Sequence, residues 1–377
     1  MLDHDEARRF VAKQNLSAWG WERPTLIVVD YASLLVDALK QWFTQLADHE
    51  VAQNHGVPAL RILLLERHAS DESGWYRGLA DSTSAGRRIK ELLRPRTSRP
   101  IAPIEGDDRL EVLQAGMSLA AGLAGQSCEA LFPLRTDHNF DRILAQPQWR
   151  DPLLLLMAAL SGAGGSLHKA LALSRRELAI EVATRERDRF SLGITNASRK
   201  SVLLHLYGCA VLCGGLDHEA AVGIAENELQ ALHKSYPGKA GQAIDDLTAK
   251  LGAAEGPPAM APDLLAEAFL LVVFGERSGL GQKVIERVAA WRSERVSANI
   301  IRLIQDFGHV EPAQQPNERL LSWAELSLSW VRALVNAGES DTRLLTTIAE
   351  ALPQSTLTLR GIAVEVMETL VTRFRQS

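Results

Sequence analysis

A short apolar segment near the start of the chain constrains its fold more than any other feature. Residues 23–32 read RPTLIVVDYA, in which Pro24 precedes a run of mostly β-branched residues that ends at Asp30. An apolar run of this length, bounded by proline and by turn and helix residues, is typical of a buried parallel strand. We therefore predict a strand over residues 25–29 with a carboxylate directly after it. Ligands of open parallel sheets bind at this carboxyl edge.

A helix and a second strand follow in the order that a parallel sheet requires. Residues 34–49 carry apolar side chains at helical spacing, and Gly56-Val57-Pro58 ends the pattern. Residues 61–65 form a second apolar run that ends at Glu66 and Arg67. Strand, helix and strand in this order predict a parallel crossover unit. Because two strands alone do not make a stable sheet, we expect further strands to accompany them.

Beyond this unit the chain is expected to be mainly helical, so the fold class is α/β followed by mainly α. We interpret the Arg- and Pro-rich residues 86–109 as a loop or linker and residues 252–262 as the clearest linker of the second half. Ser174 and Glu177 have the spacing of a capping box. Helices are expected over residues 109–123, 135–145, 152–160, 175–190, 198–213, 217–235, 263–274, 280–307, 316–337, 340–351 and 356–375.

Composition narrows the class of protein. The chain has 377 residues, of which 46% are hydrophobic and 23% charged, and a formal charge of −5. This balance argues against a uniformly basic nucleic-acid binder, although a local basic patch stays open. The three cysteines are too few to make a disulfide framework in a chain this long. No leader-like segment is visible, and no apolar run reaches the length of a membrane span. We expect a cytoplasmic protein without membrane contact.

Asp30 is the strongest candidate for a chemical residue. An aspartate at this edge holds the Mg²⁺ of bound nucleotide in P-loop enzymes, whereas the alternative is an aspartate that caps the following helix. The neighbouring Tyr31 is a poor general base at neutral pH, so even a nucleotide-bound form is expected to hydrolyse slowly. At the end of the second strand, Arg67 beside Glu66 either contacts a γ-phosphate or forms a surface ion pair.

No phosphate-binding loop accompanies this aspartate. Such a loop needs glycines, a lysine and a following Ser or Thr. The segments 162–166, 237–240 and 279–283 each lack part of that pattern, and we interpret them as turns. Cys209 and Cys213 are interpreted as buried thiols rather than zinc ligands. The basic residues of 87–99 either meet phosphates or form a solvated helix followed by a proline-bounded loop. The basic residues of 175–189 alternate with acidic ones, which weakens them as a DNA recognition helix. Trp323 and Trp330 mark either a partner surface or, preferably, a buried helix seam.

Four segments in a fixed order resemble one family. Residues 23–32 resemble the Walker B segment of bacterial STAND-type signal-transduction NTPases, and residues 61–67 with Trp75 resemble their next core strand and its sensor arginine. Residues 151–160, DPLLLLMAAL, are similar to the proline-led helix that follows the ATPase core. Residues 262–267, PDLLAE, resemble a segment of the winged-helix region. The Walker A lysine has no counterpart, and Glu66 stands where a small residue is more usual.

The resemblance implies a nucleotide-gated switch. It divides the chain into a partial NTPase-like α/β core (1–150), a helical and winged-helix-like domain (151–256), and the winged-helix remainder with a C-terminal helical domain (257–377). Asp30 would then bind the Mg²⁺ of bound ATP or ADP, Arg67 would sense the γ-phosphate of ATP, and Tyr31, Glu66 and Pro152 would complete the nucleotide site. The chain would correspond to the part of such a switch that follows the phosphate loop.

Three functions stay open at this point. The first is a degenerate STAND-like module, without catalysis by the isolated chain, that acts through a protein partner or through self-association in bacterial defence or signalling. The second is an active ATP-dependent switch whose phosphate loop comes from another chain. The third is a winged-helix DNA-binding regulator, which would need a basic recognition helix.

Overall fold

The structure is a computed structural model, in which the chain folds into two compact units. The units are Met1–Ala102 and Pro103–Ser377. The structure describes residues 22–29, 32–52, 59–65, 74–81, 83–93, 99, 102–123, 125, 137–275, 279–308, 318–338, 341–352 and 359–376. Residues 5–18, for which the sequence predicts a short amphipathic helix, lie outside these ranges.

The first unit contains the predicted strand–helix–strand arrangement. Strand β1 (Thr25–Val29) pairs in parallel with β2 (Leu60–Leu64), and helix α1 (Val36–Ala52) lies between them in the chain. A 3₁₀ turn, Ala32–Leu35, leads into α1. The register aligns Thr25 with Leu60 and Val29 with Leu64, so both strands end at the same level. The predicted strands and helix are therefore confirmed.

One face of this sheet packs on the small core of the first unit. Ile27, Val29, Ile62 and Leu64 are half-buried against a cluster that α1 supplies with Leu39 and other apolar residues. Leu26, Val28 and Leu63 point to the other face and are exposed. Parallel strands are normally covered on both faces. In the described part of the chain the sheet has these two strands only, so the further strands that we expected are not among the described residues.

The first unit continues with helices α2 (Gly74–Leu79) and α3 (Ser84–Leu92). The prediction of a loop over residues 86–109 was therefore wrong for its first part. Thr83 caps α3 by accepting a hydrogen bond from the Gly86 amide at 3.1 Å, and α3 buries Ile89. Composition had suggested a loop, but the cap, the buried Ile89 and the half-buried Leu92 are enough to hold a short helix.

An ion pair connects α1 to the start of α3. Lys40 Nζ lies 2.5 Å from Asp81 Oδ2, and Asp81 also accepts a hydrogen bond from the hydroxyl of Thr83. These hydrogen bonds, from Lys40 first and then from Thr83, lower the pKa of Asp81 to about 2. The carboxylate therefore stays charged over the physiological range and keeps the α3 cap in place.

The second unit is built from helices in its described residues. In chain order these helices are α4 (Asp107–Leu123), α5 (His138–Leu144), a 3₁₀ turn (Pro147–Arg150), α6 (Pro152–Ala163), α7 (Leu167–Leu171), α8 (Arg175–Ser191), α9 (Ala197–Leu212), α10 (His218–Ala231), α11 (Lys239–Lys250), α12 (Asp263–Phe274), α13 (Leu280–Ala289), α14 (Ser293–Phe307), α15 (Glu318–Gly338), α16 (Thr342–Ala351) and α17 (Arg360–Gln376).

A continuous hydrophobic core runs through this unit. Helix α4 packs on α6, α8 on α12, and α13 and α14 on α15, while α17 packs on α16 at the end of the stack. The buried side chains form one cluster that extends from Leu113 in α4 to Leu370 in α17. The sequence-based boundaries at 150/151 and 256/257 fall inside this unit, whereas the compact units divide at 102/103.

The segment 252–262 is a loop, as predicted, but it does not separate two compact bodies. The backbone amide of Leu216 donates to the carbonyl of Pro257 at 3.0 Å. Gly256 has a φ of 137° and lies so close to the Leu216 carbonyl that a Cβ would approach its oxygen to 2.4 Å. Glycine is therefore required where this loop lies against the start of α10.

The long helix that we predicted over residues 280–307 is two helices. Helix α13 ends at Ala289 and α14 begins at Ser293, with Arg292 in a non-helical conformation between them. Neither glycine nor proline occurs at this break. Tertiary contacts hold it instead, because Arg292 pairs with Asp217 at 2.9 Å and the Trp291 ring lies over Gly223, where a Cβ would approach it to 2.7 Å.

Among the described residues, no helix combines the length and the apolar character that spanning a bilayer requires.

Candidate functional site

The carboxyl edge of the two-stranded sheet is the site that the sequence indicated. The amide of Leu65 donates to the carbonyl of Val29 at 2.8 Å, and the amide of Ala32 donates to the carbonyl of Leu65 at 3.1 Å. Ala32 therefore lies beside the end of β2. Asp30, Tyr31, Glu66 and Arg67 directly follow these strand ends in sequence. All four lie outside the described residues, so their predicted roles stay predictions.

Pro152 is described, and its position is that of a helix-starting residue. It is the first residue of α6, and the preceding Asp151 accepts a hydrogen bond from the Leu153 amide at 2.9 Å. Proline suits this position because the first turn needs no amide donor from it. The role of Pro152 in starting α6 explains why a proline occurs here. Contact between Pro152 and a nucleotide base stays a prediction.

The three glycine-containing segments are helix ends, which agrees with our interpretation of them as turns. Residues 162–166 end α6 and begin α7, and Gly164 lies against the guanidinium of Arg185. Gly238 precedes α11 with a φ of 77°, and Gly279 precedes α13 with a φ of 74°. Neither of these glycines follows a described strand, as a phosphate loop would.

A buried polar cluster joins α9, α10 and α13 in the second unit. Arg287 of α13 donates to both carboxylate oxygens of Glu228 in α10, from Nε and Nη2, each at 2.6 Å. His205 Nε2 of α9 lies 2.7 Å from Glu228 Oε2. Glu228 is 1% exposed. Burial alone would raise the pKa of Glu228, but the hydrogen bonds from Arg287 and His205 outweigh it and lower the pKa below its ordinary value.

The same cluster brings together three residue types that bind metal ions. Ligand atoms of His205, Cys209 and Glu228 lie within 4.8 Å of one another. Burial, and then the charge of Glu228, raise the pKa of the Cys209 thiol well above its ordinary value. Arg287 also supplies the positive charge that compensates Glu228, which opposes the entry of a divalent cation. We therefore interpret the cluster as a buried salt bridge that fixes three helices together.

This cluster was not predicted from the sequence. The spacing of His205 and Cys209, four residues apart on one helix, was a visible signal that both side chains share a face. Glu228 and Arg287 gave no such signal, because Glu228 lies 23 residues from His205 and 59 residues from Arg287 in the chain. The prediction that Cys209 and Cys213 are buried is confirmed.

A second buried carboxyl group lies in α12. Glu267 is 3% exposed, and its Oε1 lies 4.0 Å from Arg302 Nε. Burial first, and then the neighbouring Asp306, raise the pKa of Glu267 well above its ordinary value. Asp306 acts through its negative charge. Arg302, in turn, pairs with Asp263 at 2.5 Å. Burial therefore favours the neutral form of the Glu267 carboxyl group.

The basic residues of α8 are engaged with acidic neighbours. Arg185 lies 2.9 Å from Glu181, and Arg189 lies 2.6 Å from Glu186. Residues 137–275 are described without a gap and contain helices and no strand, so that range holds no β-hairpin that could form a wing. Within residues 137–275 the structure therefore contains neither of the two features, a free basic recognition helix and a wing, that would support the DNA-binding alternative.

The two tryptophans of α15 belong to a helix seam. Trp330 is buried, and the ring lies so close to Gly281 of α13 that a Cβ there would approach it to 2.4 Å. Trp323 is half-buried and packs against the same core. The preferred interpretation of these residues as a buried seam is confirmed.

Comparisons with protein-family models, with curated proteins and with solved structures give no match for this chain.

Proposed function

We propose that this chain is a regulatory protein-interaction module in which the first unit keeps the layout of a STAND-like nucleotide-binding core without its catalytic parts. The single observation that carries the proposal is the parallel pairing of β1 and β2 around α1. This pairing brings the ends of both strands to one edge, and the sequence follows those ends with Asp30 on one side and Glu66-Arg67 on the other. A site for ATP or ADP with Mg²⁺ would lie there.

The absence of a phosphate-loop motif from the sequence leads us to propose that the isolated chain does not turn over nucleotide. Without the glycine-rich loop and its lysine, the β- and γ-phosphates lose most of the groups that bind them. Tyr31 in place of a glutamate also removes the usual base for water. The helices of the second unit then act through contacts with other proteins, as long helical stacks commonly do.

Titration calorimetry of the full chain with ATP and Mg²⁺ tests this proposal. We expect no heat of binding at nucleotide concentrations up to about 1 mM, since P-loop contacts supply most of the affinity. Tight binding that Asp30→Ala abolishes would overturn the proposal in favour of an active switch. Asp37→Ala is the matched control, because Asp37 is an exposed aspartate of the same unit that lies on α1.

A further inference from the structure

The last described helix, α17, carries two apolar faces, of which one is buried and the other is exposed. Ile362, Val366 and Leu370 are buried where α17 packs on α16. A second stripe consists of Val364, Met367, Val371 and Phe374, whose exposed fractions lie between 44% and 67%. We call these four residues the α17 stripe. Other exposed apolar residues of the second unit do not form such a row along one described helix.

The spacing of the α17 stripe is that of a helix-pairing seam. Its residues are separated by three, four and three positions, which is the a/d pattern of helices that pack along their length. With about 100° of rotation per residue, the four side chains fall within an arc of about 80°. A stripe this narrow fits one further helix rather than a sheet or a broad surface.

Charged side chains beside the stripe specify which helix it fits. Glu368 and Arg375 lie on the same flank, within about 20° of each other and seven positions apart. No ion-pair partner for either side chain occurs among the described residues. If a second α17 runs antiparallel, with a two-fold axis midway between these positions, each Glu368 meets the Arg375 of the other copy. Two reciprocal ion pairs then form across one axis, as an isologous interface requires.

The same axis also interleaves the apolar side chains. It passes close to Val371, so the two copies of that residue lie within about 2 Å of the same level along the helices. Met367 of one copy falls about 3 Å from the level of Phe374 of the other, on both sides of the axis. The knobs of one helix therefore enter the spaces of its partner. A single antiparallel register therefore forms both ion pairs and packs the two apolar stripes against each other.

We propose that the α17 stripe is the homodimer interface of this protein, with a second copy of the chain bound antiparallel along α17. The proposal deepens the protein-interaction function proposed above by assigning the surface for self-association. A single helix face from each copy makes a small interface, and small interfaces belong to weak complexes. We therefore expect a dimer that dissociates at roughly micromolar concentrations.

Sedimentation velocity of the full chain between about 1 and 200 μM tests the interface. We expect the mass to rise with concentration from one chain of 41.3 kDa towards twice that value. Met367→Glu and Val371→Glu each place a charge in the apolar seam, and we expect both variants to stay monomeric. Far-UV circular dichroism shows whether these exposed substitutions leave the fold intact. A monomer throughout this range, or a dimer that both substitutions leave unchanged, would overturn the proposal.

A charge exchange tests the antiparallel register itself. Glu368→Arg alone, and Arg375→Glu alone, replace two attractions by two repulsions, and we expect each to weaken the dimer by roughly ten-fold or more. The double variant Glu368→Arg/Arg375→Glu restores opposite charges across the axis and should recover the original affinity. Glu365→Arg is the matched control, because Glu365 is exposed on α17 outside this flank. Failure of the double variant to recover would exclude this register, whatever calorimetry shows for nucleotide.

Discussion

Glu267 is a carboxyl group that folding removes almost completely from water. Because burial and Asp306 raise its pKa in the folded state, the folded chain holds a proton that the unfolded chain releases above about 4.5. Stability is then complete below that value and falls as the pH rises towards the folded pKa, by at most about 1.4 kcal/mol per pH unit. We predict that Glu267→Gln removes this loss, so its stability relative to the wild type increases with pH.

Urea denaturation of both proteins between pH 5 and 8, followed by circular dichroism, measures this difference. Glutamine keeps the shape of the acid but carries no charge at any pH, which separates the effect of charge from that of packing. Glu226→Gln serves as the control, because Glu226 is an exposed glutamate on α10. Parallel pH curves for wild type and Glu267→Gln would show that the buried acid does not titrate as we infer.

The cluster of Glu228, His205 and Arg287 makes a second prediction at the residue scale. Arg287→Ala leaves a buried carboxylate with a single hydrogen-bond partner, and breaking such a pair costs about 3–5 kcal/mol. Glu228→Gln removes the carboxylate charge instead and leaves Arg287, whose side chain is 30% exposed, partly in contact with solvent. We therefore expect Arg287→Ala to be the more destabilising of the two in urea denaturation.

An exposed ion pair supplies the comparison for this experiment. Arg189 pairs with Glu186 in α8, but its side chain is 71% exposed. Exposed pairs contribute about 0–1 kcal/mol, so Arg189→Ala should change the midpoint little. If Arg287→Ala were as mild as Arg189→Ala, the buried cluster would not hold α9, α10 and α13 together as we conclude.

At the scale of the elements, the start of α8 has a complete capping box. Ser174 Oγ accepts from the Glu177 amide, and Glu177 Oε2 accepts from the Ser174 amide at 3.0 Å. We predict that Ser174→Ala destabilises the chain by about 1 kcal/mol, measured by urea denaturation. Ser166 is the matched control, since it precedes α7 without a side-chain cap bond and Ser166→Ala should have little effect. Equal effects of the two substitutions would contradict this account of the cap.

Local signals of this kind explain how much of the fold the sequence could predict. The capping box, the proline at the start of α6 and the apolar run of β1 all act between neighbouring residues, and the structure confirms each element. The break between α13 and α14 depends on Asp217 and Gly223, which lie far from it in the chain. The cluster around Glu228 depends in the same way on residues of three helices. A single sequence contains no signal for such pairings.

At the scale of the whole molecule, the two units differ in how completely each buries its apolar surface. The large core extends from α4 to α17 and draws its residues from the second unit alone. The first unit has a small core of its own, and the outer face of its sheet leaves Leu26 62% and Val28 51% exposed. A two-stranded sheet with one open face is marginal by itself. The second unit therefore has the requirements for independent folding, whereas the described residues of the first unit do not supply them.

We predict that a fragment of residues 103–377 folds alone, whereas a fragment of residues 1–102 does not. The first fragment should unfold in one cooperative transition, and Arg287→Ala should lower its midpoint as in the full chain, because all three helices of that cluster are present. The second fragment should give weak chemical-shift dispersion or aggregate through its open sheet face. Circular dichroism and a heteronuclear NMR spectrum of each fragment show whether that fragment is folded. A gradual transition for residues 103–377 would mean that its core needs the first unit, which the continuity of that core argues against.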